Sequence, residues 1–250
     1  MLKGNDVVGC PVLIGDTDRR IKRVEDVVAD PVNNRILGFL VDEGGWSGGA
    51  YVLPWSAVSA VRPDAVIVAS EACIVRADWT VRIKTVLERV GKVVGRRIMT
   101  TDGRDLGRLT DVFFDSRTGR IEGYEVVEGE FASAYGARSF VPALGELQIA
   151  GEVVLAPPAA ARAMEEQDTG GTPSHGPDDG ADALARAKGR RARREVRAAH
   201  GGYVAAQGQI VGERVVARAR AAGKEKELLR AVGLPTEPRR EPSSPPGTQG

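Results

Sequence analysis

Residues 27–42 read VVADPVNNRILGFLVD, and 85 positions later residues 112–127 read VFFDSRTGRIEGYEVV, aligned without a gap. Asp30/Asp115, Arg35/Arg120, Ile36/Ile121, Gly38/Gly123 and Val41/Val126 are identical. A repeat of this kind constrains the fold strongly, because one backbone must satisfy two sets of side chains. The correspondence extends outward. VVGCPVLIGD (7–16) parallels VVGRRIMTTD (93–102), VEDV (24–27) parallels LTDV (109–112), YVLPWSAV (51–58) parallels SFVPALGEL (139–147), and AVIVA (65–69) parallels EVVLA (152–156). Matches fall in apolar segments. Length differences fall in loops, as between DEGGWSGGA and EGEFASAYGARS, the pattern of a duplicated fold.

Each copy reads as short strands separated by turn chemistry. Asp115-Ser116-Arg117-Thr118-Gly119 supplies a type I turn followed by a residue suited to the left-handed region. Asp30-Pro31-Val32-Asn33-Asn34 meets the same demand differently, with proline at the first corner and asparagine at the left-handed position. Gly38 and Gly123 stand inside strands, where glycine marks a bulge, a sharp bend or close backbone packing. Pro54 and Pro142 are expected at the start or edge of the next strand. About six strands per copy, without a long amphipathic helix, predict a small barrel or half-barrel from each. Residues 76–92 between the copies read as a connecting strand or a short helix.

The character changes after Pro157. An alanine-rich helix is expected over 159–166. Residues 167–182, rich in Gly, Pro, Asp and Ser/Thr, read as a flexible linker. Residues 183–234 predict a small basic module, with a hairpin around Gly201–Gly202 and two helices interrupted at Gly223. Ile210, Val211, Val215, Val216 and Ala219 would form one helical face; Leu228, Leu229 and Val232 would form another. Residues 235–250 read as a disordered tail. Charge follows the same division: residues 1–166 carry 20 Lys+Arg against 24 Asp+Glu, and residues 167–250 carry 15 against 10.

Few residues invite catalysis. Cys10 and Cys73 have neither disulfide-framework nor zinc-ligand spacing and read as small core residues. His175 and His200 lie among glycines, which removes most routes to general-base, triad or histidine-metal chemistry. The pairs Asp26/Asp111 and Asp30/Asp115 sit beside hairpin turns and are expected to accept backbone N–H bonds. No catalytic, cofactor-binding or metal-ligating residue is assigned. No apolar run approaches the roughly 20 residues that cross a bilayer, and the N-terminus is too polar for a secretory signal, so a cytoplasmic location is expected.

The second copy reads GxxxxxxDGxxLGxLxDVxxDxxTGxIxGYxVxxG, carried by Gly95, Asp102-Gly103, Leu106-Gly107, Asp111-Val112, Asp115, Thr118-Gly119, Ile121 and Gly123-Tyr124, with Val141-Pro142 following. This pattern resembles the PRC-barrel domain, named for the cytoplasmic domain of the photosynthetic reaction-centre H subunit and similar to the C-terminal domain of the ribosome maturation factor RimM. The first copy departs from it at Lys22 and Asn34, which replace Gly107 and Gly119. The resemblance implies a mainly β chain of two tandem barrels, 1–80 and 87–160. It also implies a non-enzymatic role in docking protein or ribonucleoprotein partners.

Candidate contacts follow from exposed chemistry. Trp46, Phe131 and Tyr135 lie in glycine-containing loops and are candidate anchors for a protein partner, or rings folded over a barrel mouth. Arg190, Arg191, Arg193, Arg194 and Arg197 could meet an anionic partner such as RNA or the ribosome, although no interleaved aromatic offers base stacking. Two copies in one chain also suit pseudo-twofold pairing, with each other or in a homodimeric scaffold.

Overall fold

The computed structural model describes residues 1–15, 17, 19–41, 46, 49–130, 138–166 and 184–234. The first repeat contributes β1 (Leu2–Lys3), β2 (Pro11–Ile14), β3 (Arg19–Arg23), β4 (Asp26–Asp30), β5 (Arg35–Leu40), β6 (Tyr51–Pro54), β7 (Val58–Val61), β8 (Val66–Val68) and β9 (Val75–Arg76). The second contributes β10 (Arg97–Thr100), β11 (Asp105–Phe114), β12 (Ile121–Val127), β13 (Ser139–Pro142), β14 (Gln148–Ala150) and β15 (Val153–Ala156). The chain is therefore mainly β over its first 160 residues.

Strand order repeats with the sequence. The second repeat runs β13-β12-β11-β10-β15-β14, with β1 added against β11. The first runs β9-β6-β5-β4 and β3-β2-β8-β7, the same path cut into two sheets between β3 and β4. The cut falls at Val24-Glu25, and β11 carries a register shift between Leu109 and Asp111 at the matching place. One bend thus appears as a break in one copy and a bulge in the other. In each repeat the first and last long strands pair in parallel, β2 with β8 and β10 with β15.

The glycines explain a second bulge. Gly38 pairs with Pro54, and Gly123 with Pro142, so the prolines close their strands rather than open them. A Cβ on Gly38 would sit 2.4 Å from the Leu53 carbonyl oxygen; one on Gly123 would sit 2.2 Å from the Phe140 ring and 2.7 Å from the Val141 oxygen. The register slips just beyond, leaving Leu37 and Glu122 bulged at equivalent positions. Asn34 and Gly119 end the hairpin turns at φ 48° and φ 68°. Asp30 accepts the Asn33 N–H, and Asp115 accepts those of Arg117 and Thr118.

The two repeats join at these turns. Ile36 N–H donates to Gly119 O at 2.8 Å, and Ile121 N–H donates to Asn34 O at 2.8 Å. Those bonds exchange under a pseudo-twofold axis that passes between the bridged residues Arg35 and Arg120. Tyr124, fully buried, donates its hydroxyl to Asn34 Oδ1 at 2.8 Å, and Trp55 packs edge-on against Phe114. A single apolar cluster runs through both barrels, from Val12, Val27 and Phe39 to Ile98, Phe114 and Val154. Cys10 and Cys73 are free and only half-buried, with Cys73 packed against this cluster.

The segment leading into each repeat lies on the other repeat. β1 pairs with β11, placing Leu2 opposite Phe114. Residues 77–90 form a 3-10 turn, a helix Val81–Thr85 and a π turn closed by Gly91, and their Ile83, Val86 and Leu87 cover Val28, Leu40 and Val52. The connecting segment is thus mostly helical, after the two strand residues of β9. Past the helix Pro158–Glu166, the described residues of the third segment form the hairpin of β16 (Val196–Arg197) and β17 (Tyr203–Ala205) and helices Glu213–Ala221 and Glu225–Ala231. Ile210 and Val211 precede the first of these helices, because Gly212 is its N-cap; Ile210 instead bridges Arg191.

Gly38→Ala and Gly123→Ala should each lower unfolding free energy by about 2–3 kcal/mol in urea titrations, because backbone must move to admit the methyl group. Gly49→Ala, where nothing lies within 4 Å, should change it by less than about 0.5 kcal/mol.

Candidate functional site

Alternation along β4 and β11 buries both strand faces. Val27 and Ala29 point into the shared core and Val28 out of it; Val112, Phe114 and Phe113 do the same in the second repeat. The outward faces are equivalent in backbone but differ in chemistry. The first presents Val28, Leu37, Leu40 and Val52 to the apolar side of residues 77–90. The second replaces Leu37 by Glu122 and Leu40 by Glu125, and its aromatic floor is Phe113 and Phe140.

That second face holds the C-terminal module. Tyr203 and Ala206 pack on Phe113 and Phe140, with ring centroids 5.5 Å apart for Phe113 and Tyr203. Lys3 Nζ lies 5.2 Å from the Phe113 centroid and 5.4 Å from that of Tyr203 while bonding Glu125 at 2.7 Å. Glu122, whose side chain is 8% exposed, bonds Arg218 at 2.6 Å and faces Arg214 at 3.6 Å. Tyr203 N–H donates to Met1 O, and Arg191 donates to Gly208 O and Met164 O. Sequence reasoning missed this contact, although an acid aligned with Leu37 was its signal.

The arginine cluster is divided by this packing. Arg191 fastens the module to the barrel, and Arg197 stacks on Tyr203 at 4.2 Å while bonding Glu195. Arg193 and Arg194 are exposed, and Arg190 is half-buried. The aromatic candidates divide as well. Trp46 is half-buried against the outward face of the first repeat and donates its indole N–H to Asp26 at 2.9 Å. Phe131 and Tyr135 lie outside the described residues. Among the described residues the most exposed ring is instead Trp79, with 72% of its surface free, beside Val81 at 80%. Its signal was a tryptophan in a connecting segment that no periodicity placed in a core.

Asp26 and Asp111 line a shallow cleft between the repeats with Asn5, Trp46, Lys92 and Val112. Each accepts the N–H of the following residue at 2.8 Å. Asp26 also bonds Lys92 at 2.7 Å, and Asp111 accepts the Asn5 N–H at 3.2 Å. These carboxylates pin the crossing segments to the bulges, with hydrogen bonds on both, and among the described residues no nucleophile or general-base partner lies between them. Among the described residues no group of three or more His, Cys, Asp and Glu is placed to hold a metal ion, and no helix is long and apolar enough to cross a membrane.

Burial pushes the Asp111 carboxyl up to about 6, against the pull of the Val112 and Asn5 N–H groups and of Lys3. A raised acid binds its proton more tightly when folded. Its ionisation therefore carries no folding penalty near pH 4, and the full penalty above about pH 6. Asp111→Asn should gain on the order of 2–3 kcal/mol relative to wild type between pH 4 and pH 7. Urea titrations of both proteins across that range measure the difference.

A search of curated proteins found no match to this sequence. The family model for the PRC-barrel domain matches residues 1–72 and again residues 86–162. Those ranges cover the two strand paths related by the pseudo-twofold axis, apart from β9 at the edge of the first. The chain belongs to the PRC-barrel family, with two copies of the domain in tandem.

Proposed function

We propose that this chain is a non-catalytic docking protein that assembles with a protein partner through the first barrel. Trp79 carries the reading. A tryptophan exposed over 72% of its surface, next to a valine exposed over 80%, leaves a large apolar area in water. Such rings dominate binding energy when a partner covers them. Tyr51, also exposed, stands on β6 opposite Arg76, at the start of the same connecting segment. The carboxylates at the inter-repeat cleft are engaged in holding backbone, which favours docking over chemistry.

Full-length protein immobilised alongside a Trp79→Ala/Val81→Ser variant tests this reading by capture from a native lysate. A protein retained by wild type should be lost by roughly thirtyfold or more on the variant, the effect of removing an interface hot spot. Equal recovery on both would overturn the assignment to this surface.

A second reading rests on a separate observation. Residues 184–234 carry 13 Lys+Arg against 4 Asp+Glu, and exposed Arg193 and Arg194 lie on that module. Such a surface suits RNA or another polyanion through counterion release. Binding of a generic RNA should then fall by at least tenfold between about 50 and 200 mM salt. Affinity that is flat across that range excludes the electrostatic account.

A further inference from the structure

The outward faces of the two barrels are covered in different ways, and only one cover has spare chain. Residues 77–90 follow β9 directly, so the first face is closed by its own continuation. The second is closed by a module whose first described residue is Leu184, while the preceding helix ends at Glu166. Residues 167–183 lie between them and can extend to about 60 Å at roughly 3.3–3.6 Å per residue. Docking within one chain needs much less, since Arg191 of the module already bonds the Met164 carbonyl of that helix.

The module is also self-contained. Leu184, Val196, Val211, Val216, Leu228 and Val232 belong to a core cluster that includes no barrel residue. Leaving the barrel would therefore uncover Tyr203 and Ala206 without opening that core. The two sides are complementary in charge as well as shape. Residues 1–166 carry net −4 and residues 184–234 carry net +9, and Glu122 meets Arg218 and Arg214 at the contact.

We propose that the second barrel's outer face and the C-terminal module are an exchangeable docking pair. The module of a second copy occupies the face in place of the chain's own, so that two chains lock reciprocally. Every contact of the closed form is kept in the exchanged one, which is the low-cost route to a dimer. Only effective concentration separates the two. A short tether holds the module at a local concentration of order millimolar, so isolated chains close on themselves at micromolar concentration and exchange when copies are crowded.

Two single variants decide the matter with full-length chains. Glu122→Arg opposes its own Arg218, and Arg218→Glu opposes its own Glu122; each alone should remain monomeric with its module undocked. Mixed in equal amounts, the reversed face of one chain meets the reversed module of the other, while the two native groups meet in return. Light scattering should give twice the 26.5 kDa chain mass for the mixture. A single chain carrying both substitutions should close on itself and stay monomeric. A mixture that remains two monomers overturns the proposal. If either single variant fails to fold, sedimentation of wild type up to about 1 mM decides instead. A dimer that grows with concentration supports exchange, and monomer throughout refutes it.

Discussion

The two hairpin turns at Asn34 and Gly119 meet backbone to backbone: the residue two past each turn donates its N–H to the carbonyl of the other. The rest of the architecture is arranged around that reciprocal pair. It fixes the pseudo-twofold axis, brings Tyr124 and Trp55 into one core, and sets β4 and β11 where crossing segments can reach them. Buried N–H and C=O groups need partners, and here each turn satisfies the other. A duplicated domain has therefore become one folding unit rather than two beads on a string.

The same constraint shows why equivalent backbones took different side chains. A bulge just before Gly38 and Gly123 turns one residue, Leu37 or Glu122, out of each barrel. Leucine there suits an amphipathic neighbour already attached, and glutamate suits an arginine brought from 96 residues away. A buried acid without a cation would be costly, so Glu122 makes sense only with Arg218 beside it. Local geometry is shared; what covers it is not.

Turns, bulge glycines and apolar spacing are legible in the sequence because each is set by neighbours a few residues away. Local chemistry alone places Asp30 and Asp115, Asn34 and Gly119, Gly38 and Gly123, and the hairpin near Gly201. The crossing of leading segments is not legible, since nothing local in Leu2-Lys3 points to Phe113-Phe114. The exposure of Trp79 and the inward position of Trp46 depend on where residues 77–90 land, which is a tertiary outcome. Charge counting finds the basic segment but not its division, because Arg191 and Arg197 are distinguished from Arg193 and Arg194 only by packing. Val211 fits a helical stripe, yet Gly212 starts the helix later and the stripe includes a loop residue.

The crossing also has a temporal meaning. A ribosome delivers Leu2 and Lys3 well ahead of their partners Phe114 and Phe113, which follow more than a hundred residues later. Until then the second barrel cannot cover the leading strand, whereas residues 77–90, made earlier, are already at hand to close the first barrel's outer face. Native contacts of such long sequence separation slow folding, because loop closure precedes the stabilisation it brings. Residues made early are thus among the last to be seated, and the leading strand waits for the second half of the duplication.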